Sequence, residues 1–256
     1  MPLSLWLSLD ITATILSLAL VFGGFAGFLA WLSFSSALAP TIQHAAGVIP
    51  PLVNIGATLF GLMLTFLSQD VWEANRAAYR GLGQEHANLV TMLALDETPG
   101  GENQALRKAI RAYVDAVVNH EWKTMEEGKS APEAEAALNR LTLIAAESTV
   151  EPRLASAIFD TAMKLRAARE KRLAIASDYP DDRKWLAVLL LAFFTQISLA
   201  ATHLEKIRAQ LLAQLVFGAG AVTAISLVAS VEQPFSPPNA ISPQPLIDVL
   251  LRMPGR

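Results

Sequence analysis

Residues 11–34 read ITATILSLALVFGGFAGFLAWLSF, a stretch with no Asp, Glu, Lys or Arg. Crossing the apolar core of a bilayer takes about 20 such residues as a helix, whereas a buried helix in a soluble protein seldom needs more than about 14. The absence of charge does not stop at Phe34. It continues through a short loop with Ser35, Pro40, His44 and Gly47 to Gln69, and the next charged residue is Asp70. Pro50 and Pro51 open a second apolar run that reaches Ser68. Proline is tolerated in a first helical turn, because the N–H it lacks would be unpaired there anyway.

Two further runs, about Trp185 to Thr202 and Ala209 to Val231, have the same length and character and are joined by a short hairpin with Glu205, Lys206 and Arg208. Hydrocarbon offers no partner for backbone N–H and C=O, so these runs are predicted as helices; the alternation of a membrane barrel is absent. The whole chain fits this reading. It is 53% hydrophobic and 17% charged, against about 25% charged in an ordinary globular protein. The apolar run near the N-terminus exceeds the core of a cleaved signal peptide, and no Lys or Arg precedes it.

Charge is concentrated between the second and third runs. Asp70 to Asp182 holds 19 of the 23 acidic and 14 of the 20 basic residues. Four helices are expected there, the first extending the second span without a break. The next carries Leu106, Ala109, Ile110, Tyr113, Val117 and His120 on one face and ends at Gly128. Ser130 with Glu133, and Ser148 with Glu151, are start signals for the last two. Asp178 to Asp182 is a turn able to cap the third span. The expected fold class is therefore all-α: a polytopic membrane protein with transmembrane helices in 11–68 and 183–231, a cytoplasmic helical domain in 69–182 inserted between helices 2 and 3, and a proline-rich cytoplasmic tail in 232–256. Arg76, Arg80, Arg172, Arg183 and Lys184 outnumber Lys206 and Arg208 near the span ends, which puts both termini on the cytoplasmic side of a plasma (inner) membrane.

Chemistry is sparse. There is no cysteine, which removes disulfides, thiolate nucleophiles and Cys-based metal sites. The four histidines are scattered, and His120-Glu121 lacks the second histidine of a zinc-protease motif. No metal, cofactor or catalytic residue is expected, and a net charge of −3 gives no reason for a nucleic-acid partner. No span carries an internal charge, which argues against a proton-coupled pump. Gln196, Gln210 and Gln214 read as helix–helix contacts. Gly23 and Gly27 form a G-x-x-x-G pair expected to let another helix approach. In the second span Asn54, Thr58, Gly61, Thr65 and Ser68 recur at helical spacing in one stripe. Such a stripe either packs on neighbouring helices or lines a water-filled path between copies of this helix.

Three stretches resemble the bestrophin-like domain family of bacterial membrane proteins. The first runs from Gly61 to Leu89 with Trp72-Glu73-Ala74 and Glu85. The second runs through Tyr113, Glu121, Trp122, Met125 and Gly128. The third is the tail Glu232-Gln233-Pro234-Phe235-Ser236 followed by Ser242-Pro243-Gln244-Pro245-Leu246. Glu232 and Ser236-Pro237 stand where the family pattern has an aspartate and a nearby glycine. The remoter likeness to bestrophins, which are pentamers, implies a homo-oligomer in the lipid bilayer, with small anions such as chloride passing along the second helix. Aligned on Trp72-Glu73-Ala74, the narrow neck falls at Asn54, Thr58 and Leu62, two of which are polar here. An ion channel is the function expected. The alternative is a non-conducting membrane scaffold that presents its helical domain to a partner. Trp122 is expected to pack between helices and Glu121 to pair locally.

Overall fold

The computed structural model is helical and describes residues 6–7, 9–44, 50–98, 103–147, 151–178, 180–237 and 239–253. Nine helices longer than one turn follow in order among the described residues: α1 Ile11–Phe34, α2 Ala39–Gln43, α3 Pro50–Asp96, α4 Gln104–Ala116, α5 Pro132–Ala146, α6 Pro152–Ala176, α7 Asp182–Thr202, α8 Ile207–Ala229 and α9 Gln244–Arg252. Two compact units result. Residues 1–73 with 180–232 form the first, and 74–179 with 233–256 the second, so α3 belongs in part to each. Residues 233–256 cluster with the second unit.

In the first unit α1, α3, α7 and α8 are long and apolar enough to cross a membrane. Asp10 caps α1 by accepting from Thr12 N (3.1 Å), and Asp181 caps α7 by accepting from Arg183 N (3.0 Å). These caps satisfy N–H groups that helix ends leave unpaired. Leu18, Phe22, Phe60, Trp185, Val188, Ala192 and Ile225 make the core. Outside it Leu20 is 76%, Leu215 68% and Val216 66% exposed. A water-borne bundle would bury much of that surface, since each such side chain gains about 1.5–3 kcal/mol by leaving water. Gln196 Nε2 donates to Phe22 O (3.2 Å), Gln214 Nε2 to Gln196 O (2.7 Å) and Gln210 Nε2 to Ala200 O (3.0 Å), so the three amides do join helices.

The second unit packs α4, α5, α6, α9 and the latter part of α3 around Leu82, Leu89, Ile110, Tyr113, Leu138, Leu141, Ile158 and Leu165. α4 starts at Asn103, whose Oδ1 accepts from Ala105 N and Leu106 N (3.0 and 3.1 Å). It then passes into a π-turn, Val117–Glu121, and a tight last turn ended by Gly128 at φ 68°. A glycine takes that left-handed conformation without the clash a Cβ would bring.

Two sequence expectations change here. The π-turn inserts one residue, so His120 turns out to solvent and Glu121 takes the buried position. Ala131, not Ser130, precedes α5, and no side chain caps it locally. Ser148 lies outside the described residues.

Candidate functional site

Two sets of residues carry the functional argument, one in each unit. In the first unit α3 turns Gly56, Phe60, Leu67 and Val71 inward. At 100° per residue these occupy one seam. Gly56 is there for closeness: a Cβ on it would stand 3.1 Å from the Phe194 ring and 3.3 Å from Thr195 Oγ1. Asn54, Thr58, Gly61, Leu62 and Thr65 are exposed and Ser68 is half-buried, on the side facing away from that seam. Thr65 Oγ1 donates to Gly61 O (2.7 Å) and Ser68 Oγ to Leu64 O (2.8 Å), so both hydroxyl protons stay on their own helix. Within one protomer Asn54, Thr58, Gly61 and Thr65 thus face away from the packed seam. Ile55 and Leu59 are exposed as well, at 53% and 46%. Trp72 and Glu73 follow at exposed positions of α3.

Gly23 and Gly27 also lie on an exposed face. A Cβ at either would meet no heavy atom within 4 Å. The buried seam of α1 runs through Thr14, Leu18, Phe22, Leu29 and Ser33, roughly two-fifths of a turn away.

In the second unit the motif residues Glu85, Tyr113, Glu121, Trp122, Gly128, Pro234 and Phe235, far apart in sequence, come together. Glu85 projects from α3, Tyr113 from α4, Glu121 from the π-turn, and Arg169 and Arg172 from α6. All five side chains are buried, the most open at 2%. Tyr113 OH donates to Glu85 Oε1 (2.5 Å). Arg172 donates from Nε to Glu85 Oε2 (2.7 Å) and from Nη2 to Glu85 Oε1 (3.2 Å) and Glu121 Oε1 (2.8 Å). Its Nη1 faces Met125 Sδ, and its guanidinium sits 5.1 Å from the Trp122 ring centre. Arg169 Nε donates to both Glu121 oxygens (3.1 Å each), and Nη2 to Oε2 (2.5 Å). Arg169 Nη1 bonds Glu135, which also accepts from Arg166 Nη1 (3.2 Å). Glu121 Oε2 further accepts from Ala131 N (3.4 Å) at the start of α5. That contact replaces the local cap expected from Ser130.

The four buried charges, two of each sign, cancel, and each carboxylate oxygen has a donor. Burying even a paired charge costs several kcal/mol, so such a cluster fixes which partners meet more than it adds stability. Burial pushes the Tyr113 phenol well above its ordinary value, and the Glu85 charge raises it further. Burial pulls the Arg169 and Arg172 guanidiniums down, but Glu121 and Glu85 more than offset it and hold both above the ordinary value. The hydrogen bond from Arg169 holds the Glu135 carboxyl below the usual range. The phenol therefore stays protonated and the arginines charged, in a cluster closed to solvent. The arrangement clamps helices together.

The tail closes on the same cluster. Trp122 Nε1 donates to Ile241 O (3.0 Å), and the Trp122 and Phe235 rings meet edge to face at 5.8 Å. Ile241 N donates to Pro234 O (2.8 Å), folding the strap back on itself. Trp122 packs against the tail and Arg172, and Glu121 pairs with residues 48 and 51 positions on and not locally. Sequence reading missed Arg169 and Arg172. A signal was present, since Ile158, Ala162, Leu165, Arg169 and Arg172 recur at the spacing of one buried face.

The sequence model of the bestrophin-like domain matches residues 17–246, which include every stretch that builds this cluster. No curated protein and no solved structure matches the chain. The chain belongs to the bestrophin-like domain family.

Proposed function

We propose that this protein is an oligomeric membrane channel, and not an enzyme, that passes small anions such as chloride through a pore lined by α3. One observation carries the reading. The face of α3 bearing Asn54, Thr58, Gly61 and Thr65 is left uncovered by its own protomer, together with the flanking Ile55 and Leu59. Hydroxyl, amide and backbone dipoles on several copies of this face would surround a path with no fixed charge. A lipid-facing helix gains nothing from such a stripe, and an intraprotomer contact would have covered it. Family membership supports a channel by analogy. The basic residues near the span ends support a cytoplasmic second unit and cytoplasmic termini.

Full-length protein reconstituted in liposomes should release chloride faster than empty liposomes, and the detergent-extracted particle should be a homo-oligomer, with five copies expected. Intact oligomers that pass no chloride would refute conduction, and a monomer would remove the central pore.

The exposed apolar residues Leu143, Phe159 and Met163 in the second unit, at 56%, 37% and 43%, favour a second reading. In it the protein is a non-conducting scaffold whose helical unit docks a partner protein. A stoichiometric co-purifying protein together with absent flux would support it.

A further inference from the structure

In the second unit a groove of about 420 Å3 lies between α3 and α6, lined by Gln84, Ala87 and Asn88 on one side and Lys164, Ala168 and Lys171 on the other. The volume falls in the range of small-molecule sites, about 300–1,000 Å3. No carboxylate lines the groove. Its two lysines share one side of α6, about 10 Å apart along the axis. Among the described residues neither lysine makes an ion pair or a hydrogen bond, and neither does the side-chain amide of Gln84 or Asn88. The arginines of the same stretch differ, since Arg166, Arg169 and Arg172 are each held by a carboxylate. Lys171 has no acid within helical reach: Ala167, Ala168, Ala174 and Ile175 stand three and four residues away. Asp160, one turn before Lys164, and Glu170, beside Lys171, line no part of the groove, and Glu85 on α3 is buried and paired with Arg172.

We propose that this groove binds a small organic dianion with an acidic group, carboxylate or phosphate, at each end. Two like charges on one wall, with no counter-charge between the walls, make the groove positive. A dianion that spans both lysines meets two cations, and a monoanion meets one. Each ammonium has three rotatable donors, which suit either acidic group. Gln84 and Asn88 stand one turn apart on the facing helix, about 6 Å, and their amide N–H groups are free to donate to the same ligand. Ala87 and Ala168 add little bulk, so the body of the ligand has room between the helices. Seven residues line the groove. A protein partner takes about 20–30 residues a side, so the size fits a small molecule.

The test measures how fast an amine reagent modifies each lysine of the full-length detergent-solubilised protein, at constant ionic strength. Adipate is compared with hexanoate, and butane-1,4-diol bisphosphate with butyl phosphate, so the two arms tell carboxylate from phosphate. One dianion should protect Lys164 and Lys171 together, by about 10-fold at ten times its dissociation constant. Its monoanion at the same concentration should protect them about 3-fold or less. Lys108 and Lys123, exposed elsewhere in the unit, should react unchanged. Lys171→Gln should bring the dianion's protection of Lys164 down to the level of the monoanion, and Ala87→Leu should abolish it by filling the groove. Equal protection by dianion and monoanion in both arms, no protection at all, or the same protection at Lys108 and Lys123 would overturn the proposal. So would a co-purifying acidic protein that alone shields the two lysines. Reactivity is read on the second unit itself, so this result stands apart from whether the protein conducts. If a variant fails to fold, dianion against monoanion on the unaltered chain still decides.

Discussion

Arg172 and Glu121 stand 51 residues apart in the chain and 2.8 Å apart in the second unit. That contact ties α6 to the π-turn after α4, and the same guanidinium reaches Glu85 on α3. One side chain thus joins three elements through charges that have no access to water.

Removing it should be costly. Arg172→Met leaves Glu85 and Glu121 short of a cation in a buried site, and a loss of about 3–5 kcal/mol is expected. Arg172→Lys should rescue little, because one ammonium cannot reproduce the fork that spans two carboxylates. Thermal unfolding of the detergent-solubilised protein checks both. A Met variant as stable as wild type would show that the cluster is dispensable.

Acid should weaken the second unit in part through Glu135. Its folded carboxyl lies below the ordinary value of 4.5. Its contribution is therefore present above about pH 4.5 and is lost as pH falls through the lower folded value. Glu135 is half-exposed, so the effect is modest. Glu135→Gln should flatten the melting temperature between about pH 5 and pH 3 relative to wild type. Tyr113 acts at the other end. Its raised folded value gives stability that is complete below about pH 10 and declines as pH rises beyond it. Tyr113→Phe should remove that alkaline decline.

The tail strap depends on Trp122. Trp122→Phe keeps a ring against Phe235 but loses the hydrogen bond to Ile241 O, for about 0.5–1.5 kcal/mol. Hydrogen exchange should quicken in 233–253 with little change in α1. Unchanged protection in the tail would contradict the assigned contact.

The chain has no cysteine, so single cysteines can map the path directly. Thiol reagents that require water should modify Asn54→Cys, Thr58→Cys and Thr65→Cys and spare Phe60→Cys and Leu67→Cys. Substituting Thr58 or Leu62 should change chloride flux far more than substituting Ile55. The opposite pattern of reactivity would turn the stripe away from the conduit.

Gly56→Val should separate α3 from α7, because the added atoms meet the Phe194 ring and Thr195. A loss of about 1–3 kcal/mol is expected from overpacking, with Gly61→Ala as the harmless control. Equal melting temperatures for the two would show that Phe194 yields freely.

The positions of the long apolar helices were legible in the sequence by itself. Removing some twenty charge-free residues from water and pairing their backbone internally is a local requirement, and composition reports it. Ile11–Phe34 begins where the uncharged run does. The polar stripe of α3 was legible for the same reason, since helical spacing alone sets which residues share a face. Tertiary structure decided what each face meets. It showed the stripe uncovered and Gly23 and Gly27 on an exposed face, and it placed Glu121 rather than His120 inward through a π-turn. It also joined Glu85, Tyr113, Arg169 and Arg172. Those outcomes depend on contacts between residues 28 to 87 positions apart. Neither composition nor periodicity carries that information, because the energy of a buried charge depends on which partner the fold brings to it.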